Sequence, residues 1–553
     1  MDQLRKEARR VLQQTPWNRP TTLESASTRL TLAQLWTDVS SHENSSHLDA
    51  CESLYAALSF LETGYDPLLP AQDNAAEATA INALCQWASQ LALPSSEFAV
   101  SFDENPEITE EDKNSQEESR LKSELAAQFI TLMGAKAIST LENNSVASSP
   151  DVIVAMASFT SEKDPWTTNA SNNCAEIHLN MACQNDLWPI IERVLREKIR
   201  PLFTKTKNPA ITSEGRKNLH PVARTRFDGG ALDDSTKPWK TTDVYAPAVL
   251  SWIICQYKPA HKASLEAHFP LLVPAILALI DDNNITYKTK GCDLLSQLLN
   301  PIQESGSDIL LRTNLVSVFQ EAVTACLLSL PSITPEPSSL KLLGAAYPAL
   351  LALLKATYQL TLKQPISQTE KNTSSTPAST NAPTSFPHAR LSTFLLGWIS
   401  TFISELGIHS TKYLQDIIPI LYTTLSNPFG TAHPPLLSAA IATTKTTILA
   451  AHPRIWRWRG EILGGLAACW LHVAEERKGT GETPTPVLDA LARSLQSTAF
   501  ALKYALQNPV PITGGALDPD QVAVKEEVQS GFQALVDADP ELEGLFVPDV
   551  AES

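Results

Sequence analysis

Cys174, His178 and Cys183 could in principle supply three ligands to a metal ion. Thiolates and neutral imidazole are the ligands that zinc prefers in proteins, and a structural zinc site needs four of them. No fourth cysteine or histidine follows at the spacing of a zinc motif. The sequence therefore predicts no metal ion, and we expect no cofactor.

Acid–base chemistry is the next class that the side chains could support. His261, Glu266 and His268 place two imidazoles and a carboxylate in one short segment. An apolar helical stretch follows, so we expect these side chains at the exposed entry to a helix. The glycine-containing residues 478–484 lack the lysine of a phosphate-binding loop, and no nucleophile elbow or dinucleotide fingerprint occurs. We predict that the protein is not an enzyme.

Arginine and tryptophan alternate in residues 452–459, His-Pro-Arg-Ile-Trp-Arg-Trp-Arg. Such a segment can grip a nucleic-acid backbone and stack on bases, but the same residue types anchor protein interfaces. The acidic balance of the chain disfavours nucleic acid. Arg454, Trp456, Arg457 and Trp458 are therefore candidate partner contacts, with the tryptophans alternatively part of a helical core.

A second tryptophan, Trp239, lies between Lys237 and Lys240 in a long loop-like stretch. Loops carry many binding residues, so Trp239 is another candidate partner contact. Alternatively, it fills a gap against the adjacent helices.

Charge and composition exclude several other classes. The 553 residues carry 43 basic and 60 acidic side chains, a formal net charge of −17. Polyanions and anionic membranes are therefore poor partners, and we predict neither nucleic acid nor membrane binding. The longest apolar runs, such as residues 271–280, are interpreted as too short to span a bilayer. Eight scattered cysteines and an N-terminus without a signal peptide indicate the cytoplasm, with nuclear access.

Helical periodicity dominates the elements that must position these residues. Leu187, Ile190, Ile191 and Val194, for example, fall on one face of a helix. Convincing strand patterns are missing, and many of the 38 prolines fall between periodic segments, where they end one helix before the next. The pattern predicts an all-α fold: an irregular HEAT-like solenoid of antiparallel helix pairs, with about ten units of roughly 40 to 47 residues.

Changes in composition divide the chain into seven stretches. The predicted division is an N-terminal helical region (1–100), an acidic linker (101–117), a helical region (118–186), HEAT-like repeats (187–362), a low-complexity disordered insertion (363–388), C-terminal HEAT-like repeats (389–536) and an acidic tail (537–553). The tail carries Leu545 and Phe546, so it could also dock in a partner's groove.

Residues 268–299 form the sharpest predicted helical pair, joined by a turn that begins at Asp281 and Asp282. Either aspartate can accept N–H bonds at the start of the second helix, and Lys288 and Lys290 lie close enough to pair with them. Gly291 is unfavourable inside a helix, so we expect it to permit a close helix crossing. These residues are the predicted structural turn and ladder.

The order of motifs in this region resembles the Tel-two-interacting-protein-two family. The resemblance is good over residues 187–355 and weaker over residues 389–475. It rests on Trp252 and on residues 188–203, 211–217, 237–240, 270–274, 280–282, 287–291, 330–331 and 347–350.

The resemblance implies a scaffold subunit of the TTT complex, together with the Tel-two protein and its other interacting protein. That complex connects a heat-shock chaperone and the RuvB-like ATPases with phosphatidylinositol-3-kinase-related kinases, which include TOR and the DNA-damage checkpoint kinases. The alternatives are a HEAT-repeat nuclear transport receptor, another helical-repeat adaptor, and an enzyme with a site assembled from distant residues. The interrupted repeats favour the scaffold.

Overall fold

The computed structural model describes most of the chain. The described residues are 2–20, 22–23, 31–42, 46–63, 65, 74–102, 108–137, 149–183, 187–206, 208–212, 214–220, 234–362, 388–479, 486–511 and 517–546. The insertion predicted at 363–388 lies outside these residues, apart from His388.

Helices form nearly all of the regular structure in the described residues. They are α1 (Asp2–Gln14), α2 (Leu32–Ser40), α3 (His47–Thr63), α4 (Asn74–Ala92), α5 (Glu110–Ala137), α6 (Pro150–Ala157), α7 (Asn169–Ala182), α8 (Trp188–Arg193), α9 (Arg200–Leu202), α10 (Pro238–Thr241), α11 (Ala246–Cys255), α12 (Lys262–Ile280), α13 (Ile285–Glu304), α14 (Ile309–Arg312), α15 (Val316–Leu327), α16 (Glu336–Leu362), α17 (Ala389–Leu406), α18 (Leu414–Leu425), α19 (Pro434–Ala450), α20 (His452–Ile455), α21 (Arg459–Gly479), α22 (Pro486–Gln507), α23 (Pro519–Ala538) and α24 (Glu543–Phe546).

A π-helical stretch, Val194–Ile199, joins α8 to α9, and the described residues contain no strand beyond an isolated bridge between Ile211 and Lys217. The prediction of an all-α, solenoid-like fold is confirmed.

The chain divides into two compact units. The first comprises Met1–Ser329 and Lys341–Pro365, and the second comprises Leu330–Leu340 and Ile366–Ser553.

Within the first unit, the N-terminal helices pack in two rows. Helices α1, α3, α5 and α7 follow one another in one row, and α2, α4 and α6 follow one another in the other. The rows also pack on each other where α4 meets α5 and α6 meets α7, as in stacked repeats.

Helix α5 begins inside the stretch predicted as an acidic linker at 101–117. Thr109 Oγ1 accepts from the N–H of Asp112, and an Asp112 carboxylate oxygen accepts from the N–H of Thr109. This capping box satisfies free N–H groups at the start of the helix. The positive end of the helix dipole stabilises the acidic side chains of the first turn. Residues 110–117 are therefore helical, and their charge marks a helix start rather than a linker.

The second half of the first unit is centred on α12 and α13, which pack against each other. Helix α12 contains Pro270 and Pro274 and is buried along most of its last three turns. Helix α13 also packs against α11, so the turn between α12 and α13 lies beside other buried elements.

Three described segments are long and apolar enough to cross a membrane by length and composition: Pro259–Ile280, Glu336–Tyr358 and Ala389–Leu425. The expectation that the apolar runs are too short is therefore wrong, because isolated polar residues do not end these helical stretches. In Pro259–Ile280, 61% of the apolar window is buried against the rest of the protein, whereas in Ala389–Leu425 the share is 17%.

In the second unit, α17, α19 and α22 form a row of parallel helices. Thr443 Oγ1 donates to the carbonyl of Leu396 at 3.1 Å, and Ser400 Oγ donates to Thr446 Oγ1 at 3.0 Å, so α17 and α19 run in the same direction. Helices α18 and α21 pack together as a second row, and α21 also contacts α22.

The end of the described chain closes this unit. Trp470 Nε1 donates to the carbonyl of Glu541 at 2.9 Å, and Gln496 Nε2 donates to the carbonyl of Gly544 at 2.9 Å. Leu542 and Leu545 are buried in the core of the unit. Residues 540–546 of the predicted acidic tail therefore dock on their own unit.

Candidate functional site

The turn between α12 and α13 differs from its prediction in its ion pairs. Asp282, whose side chain is 0% exposed, binds Lys237 Nζ at 2.7 Å and lies 3.6 Å from Lys240 Nζ. The predicted pairing of Asp282 with Lys288 and Lys290 is therefore wrong. Lys288 and Lys290 are close to Asp282 in sequence, but Lys237 and Lys240 of the α10 segment occupy the positions beside its carboxylate.

The cap of α13 also comes from a different residue. Asn284 Oδ1 accepts from the N–H of Thr286 at 2.8 Å, and Asp282 Oδ1 in turn accepts from the N–H of Asn284 at 2.8 Å. Asp281 is exposed and accepts from Asn208 Nδ2. The two aspartates therefore have different roles: Asp282 organises the turn, while Asp281 lies at its surface.

Lys290 connects α13 to the preceding part of the first unit. Its Nζ lies 2.8 Å from Asp164 Oδ1 and 4.6 Å from the centre of the Phe102 ring. The Trp166 ring lies 5.9 Å from the same ammonium group. Charge pairing and cation–π attraction thus act on one lysine, and both fix α13 against residues that are far away in sequence.

Trp239 is completely buried, so it cannot contact a partner and instead fills a gap between helices. Its ring stacks on Phe203 with centroids 5.4 Å apart and meets Tyr287 edge-on at 5.2 Å. The tryptophan therefore fills the space between α10, the end of the α8–α9 helix and α13. Lys237 and Lys240, on either side of it, hold the same segment to Asp282.

We call Lys237, Trp239, Lys240 and Asp282 the buried lock. A buried ion pair contributes little net stability relative to apolar residues, but removal of one partner leaves an uncompensated charge and is strongly destabilising. Close packing continues at Gly291, where an added Cβ would lie 2.7 Å from the backbone nitrogen of Ile280. The buried lock is suited to holding a rigid surface in place rather than to reacting with a substrate.

The residues weighed for acid–base chemistry do not all lie at an exposed helix entry. His268 is buried instead of lying at an exposed helix entry, and its Nδ1 is hydrogen-bonded to Tyr257 Oη at 2.9 Å. Burial lowers the pKa of the His268 imidazole. Glu266 pairs with Arg312 and accepts from Ser307 Oγ. His268 therefore stays neutral near pH 7 and packs as a core residue.

The histidine–cysteine group shows no metal-binding geometry. In the part of the chain that the structure describes, no three His, Cys, Asp or Glu side chains come together as potential metal ligands. His178 is buried, whereas Cys183 is exposed and lies 3.9 Å from Gln256 Oε1.

The arginine–tryptophan segment divides between core and surface. Trp456 is buried in the core of the second unit, and Trp458 packs against that core while half-buried. Arg457 is exposed, lies 3.6 Å from Asp518 and covers the Trp456 ring at 5.1 Å. Arg454 is half-buried. Of these four candidate contacts, Arg457 is the most accessible to a partner.

A group of exposed side chains on α19 and α22 was missed by the sequence interpretation. Leu449, Phe500 and Tyr504 are 61%, 62% and 55% exposed. Phe500 and Tyr504 are four residues apart and point away from the side of α22 that carries the buried Leu495 and Leu502. In the sequence, the position of Phe500 and Tyr504 on the side of α22 opposite its apolar stripe could have indicated this surface.

The buried lock lies within the part of the chain that matches a known protein family. A model of the Tti2 family matches residues 152–432, just over half of the chain. The chain belongs to the Tti2 family. The match contains the buried lock, Gly291 and the lysine at position 290. A search of curated proteins gives no match to this sequence.

Membership of the Tti2 family confirms the resemblance and supports a broad role in the TTT complex. The family is a non-catalytic scaffold family. The exposed residues of α19 and α22 follow residue 432 and lie outside the region matched by the Tti2 model.

Proposed function

We propose that this chain is a scaffold subunit of the TTT complex that binds the Tel-two protein and its other interacting protein. Through them it supports the maturation and stability of phosphatidylinositol-3-kinase-related kinases, together with the heat-shock chaperone and the RuvB-like ATPases. The observation that carries the proposal is the Tti2-family match over residues 152–432.

The packing of the first unit supports a scaffold in particular. In the matched region, the buried Lys237 and Asp282 bind each other, and the buried His268 and Trp239 are core residues. Stacked helix rows make an extended surface whose shape depends on packing between neighbours. A chain of this kind acts by holding partners in a fixed geometry.

Affinity purification of the full-length chain with quantitative mass spectrometry tests the proposal. We expect the Tel-two protein and the other Tel-two-interacting protein in near-stoichiometric amounts, with the kinases, the chaperone and the ATPases at lower levels. An Asp282→Ala variant, which disrupts the buried lock, should recover less of both. Recovery of the Ran GTPase and nucleoporins instead would indicate a transport receptor and contradict the proposal.

We further propose that the protein works in the cytoplasm and has access to the nucleus. The eight cysteines support a reducing compartment, because none forms a disulfide and five of them are buried. Fractionation of cells that express the tagged full-length chain tests this assignment, and recovery in a secretory compartment would contradict it.

A further inference from the structure

We propose that the outer surface of α19 and α22 binds an acidic amphipathic helix of a partner protein. We call this surface the α19–α22 face and define it by Lys445, Leu449, Arg493, Ser497, Phe500 and Tyr504. The inference rests on the proposed scaffold function, since it supposes a protein partner, and it adds the place and the chemistry of the contact.

The register of the two helices brings the apolar residues of the face together. Lys445 Nζ donates to Ser497 Oγ at 2.7 Å, and His452 Nε2 donates to the carbonyl of Ala505 at 3.0 Å. The two contacts are seven residues apart on one side and eight on the other, so the helices run parallel. Leu449 lies between these two levels, as do Phe500 and Tyr504.

These apolar side chains are exposed although both helices have well-buried inner sides. The neighbours Ile448 and Ala499 are 0% and 1% exposed, whereas Leu449 and Phe500 are 61% and 62% exposed. A cluster of large apolar side chains at the surface is uncommon in a soluble protein and is typical of an interaction site.

The charge around this cluster is opposite to that of the whole chain. Helices α19 and α22 contain three basic residues, Lys445, Arg493 and Lys503, against one acidic residue, Asp489. Asp489 is bound to Arg477 at 2.6 Å. In a chain with a net charge of −17, the two helices that form the face are positive on balance. The face therefore favours a partner segment that carries carboxylates.

The geometry favours a helix as the form of that segment. Two parallel helices offer side chains but no free backbone edge for strand pairing. Phe500 and Tyr504 repeat at the i, i+4 spacing, which matches the spacing of apolar anchors on an amphipathic helix that lies along α22. Carboxylates on the flanks of that helix would then reach Lys445 and Arg493.

Hydrogen exchange on the full-length chain, alone and co-purified with the Tel-two protein and the other Tel-two-interacting protein, tests the location. We expect slower amide exchange in residues 445–452 and 493–504 in the complex. Zero-length carbodiimide coupling tests the chemistry, because it joins amines to carboxylates. We expect Lys445 joined to Asp or Glu residues of a helical partner segment.

Paired variants test the energetics. The double variant Leu449→Asp with Phe500→Asp should weaken assembly at least tenfold, because it places carboxylates where the apolar side of the partner helix packs and next to the acidic residues on its flanks. Phe429→Asp is the matched control: Phe429 is 79% exposed in the same unit, outside the face, and its replacement should leave assembly unchanged. Lys445→Glu with Arg493→Glu should weaken assembly several-fold and flatten its dependence on salt.

Each contrary result has a separate meaning. A complex that assembles normally with the double variant, without protection of the face, would overturn this inference and leave the scaffold function standing. Failure of the unaltered chain to bind either protein would overturn both. Slow amide exchange of the face in the isolated chain would also overturn the inference. If deletion of residues 547–553 then restores fast exchange, the chain's own terminus occupies the face. If dilution restores fast exchange, a second copy of the chain occupies it.

Discussion

The buried lock and the α19–α22 face use the same residue types in opposite ways. In the lock, two lysines and a tryptophan are withdrawn from water and meet a fully buried aspartate. In the face, basic and aromatic side chains lie at the surface. Asp489, the acidic residue of the same two helices, forms an ion pair with Arg477. Burial thus separates charge that organises the fold from charge that is accessible to another protein.

Replacement of Asp282 is the strongest way to break this contrast. Asp282→Ala removes the buried carboxylate that pairs with Lys237 and leaves only the half-exposed Asp234, 3.6 Å from its Nζ. We therefore expect a loss of about 3 kcal/mol in the free energy of unfolding of the first unit. Urea unfolding followed by circular dichroism measures the loss.

Asn283→Ala, an exposed change in the same turn, is the control and should stay within about 0.5 kcal/mol of the original chain. Replacing both Lys237 and Asp282 by apolar residues should recover much of the stability, because no charge is then left alone. Equal losses in Asp282→Ala and Asn283→Ala would show that the lock does not hold the turn.

A methyl group at the helix crossing should have the next largest effect. Gly291→Ala places a Cβ 2.7 Å from the backbone of Ile280, so we expect a loss of about 1–3 kcal/mol. Gly344→Ala provides the opposite case, because nothing lies within 4 Å of its added Cβ in α16. Higher helix propensity should stabilise that variant by up to about 1 kcal/mol. If the melting temperatures of both variants changed in the same direction, the close contact between α12 and α13 at Gly291 would be contradicted.

Acidification should destabilise the first unit through His268. Because burial lowers the pKa of its imidazole in the folded chain, the unfolded chain takes up the proton more readily. The contribution of His268 to stability is therefore complete above the unfolded pKa of about 6.5 and is lost as the pH falls below it. Unfolding measured between pH 7.5 and 5 should show a smaller pH dependence in His268→Gln than in the original chain.

Changes on the α19–α22 face should have the smallest effect on stability. Phe500→Asp alters an exposed side chain, so the free energy of unfolding should change by no more than about 0.5 kcal/mol even though partner binding is weakened. A fall in melting temperature as large as that of Gly291→Ala would place Phe500 among core residues and remove the distinction between the two regions.

The sequence was informative where the cause of a structure is local. Helical periodicity predicted the all-α fold, and the glycine at position 291 drew attention to the crossing of α12 and α13. The partners of Asp282 were not predictable in the same way, because Lys237 lies 45 residues earlier and reaches the turn only through the packing of Trp239. Periodicity placed Phe500 in a helix, but only the tertiary arrangement determines that its side is left uncovered.

Ionic strength should separate the two regions in a way that mutation does not. Mobile ions cannot enter around an aspartate that is sealed from solvent, so added salt leaves the attraction between Lys237 and Asp282 nearly intact. Charges on an open helix surface are screened beyond a Debye length of about 8 Å at physiological ionic strength. A moderate rise in salt would therefore release an acidic partner while the helices that had held it keep their shape.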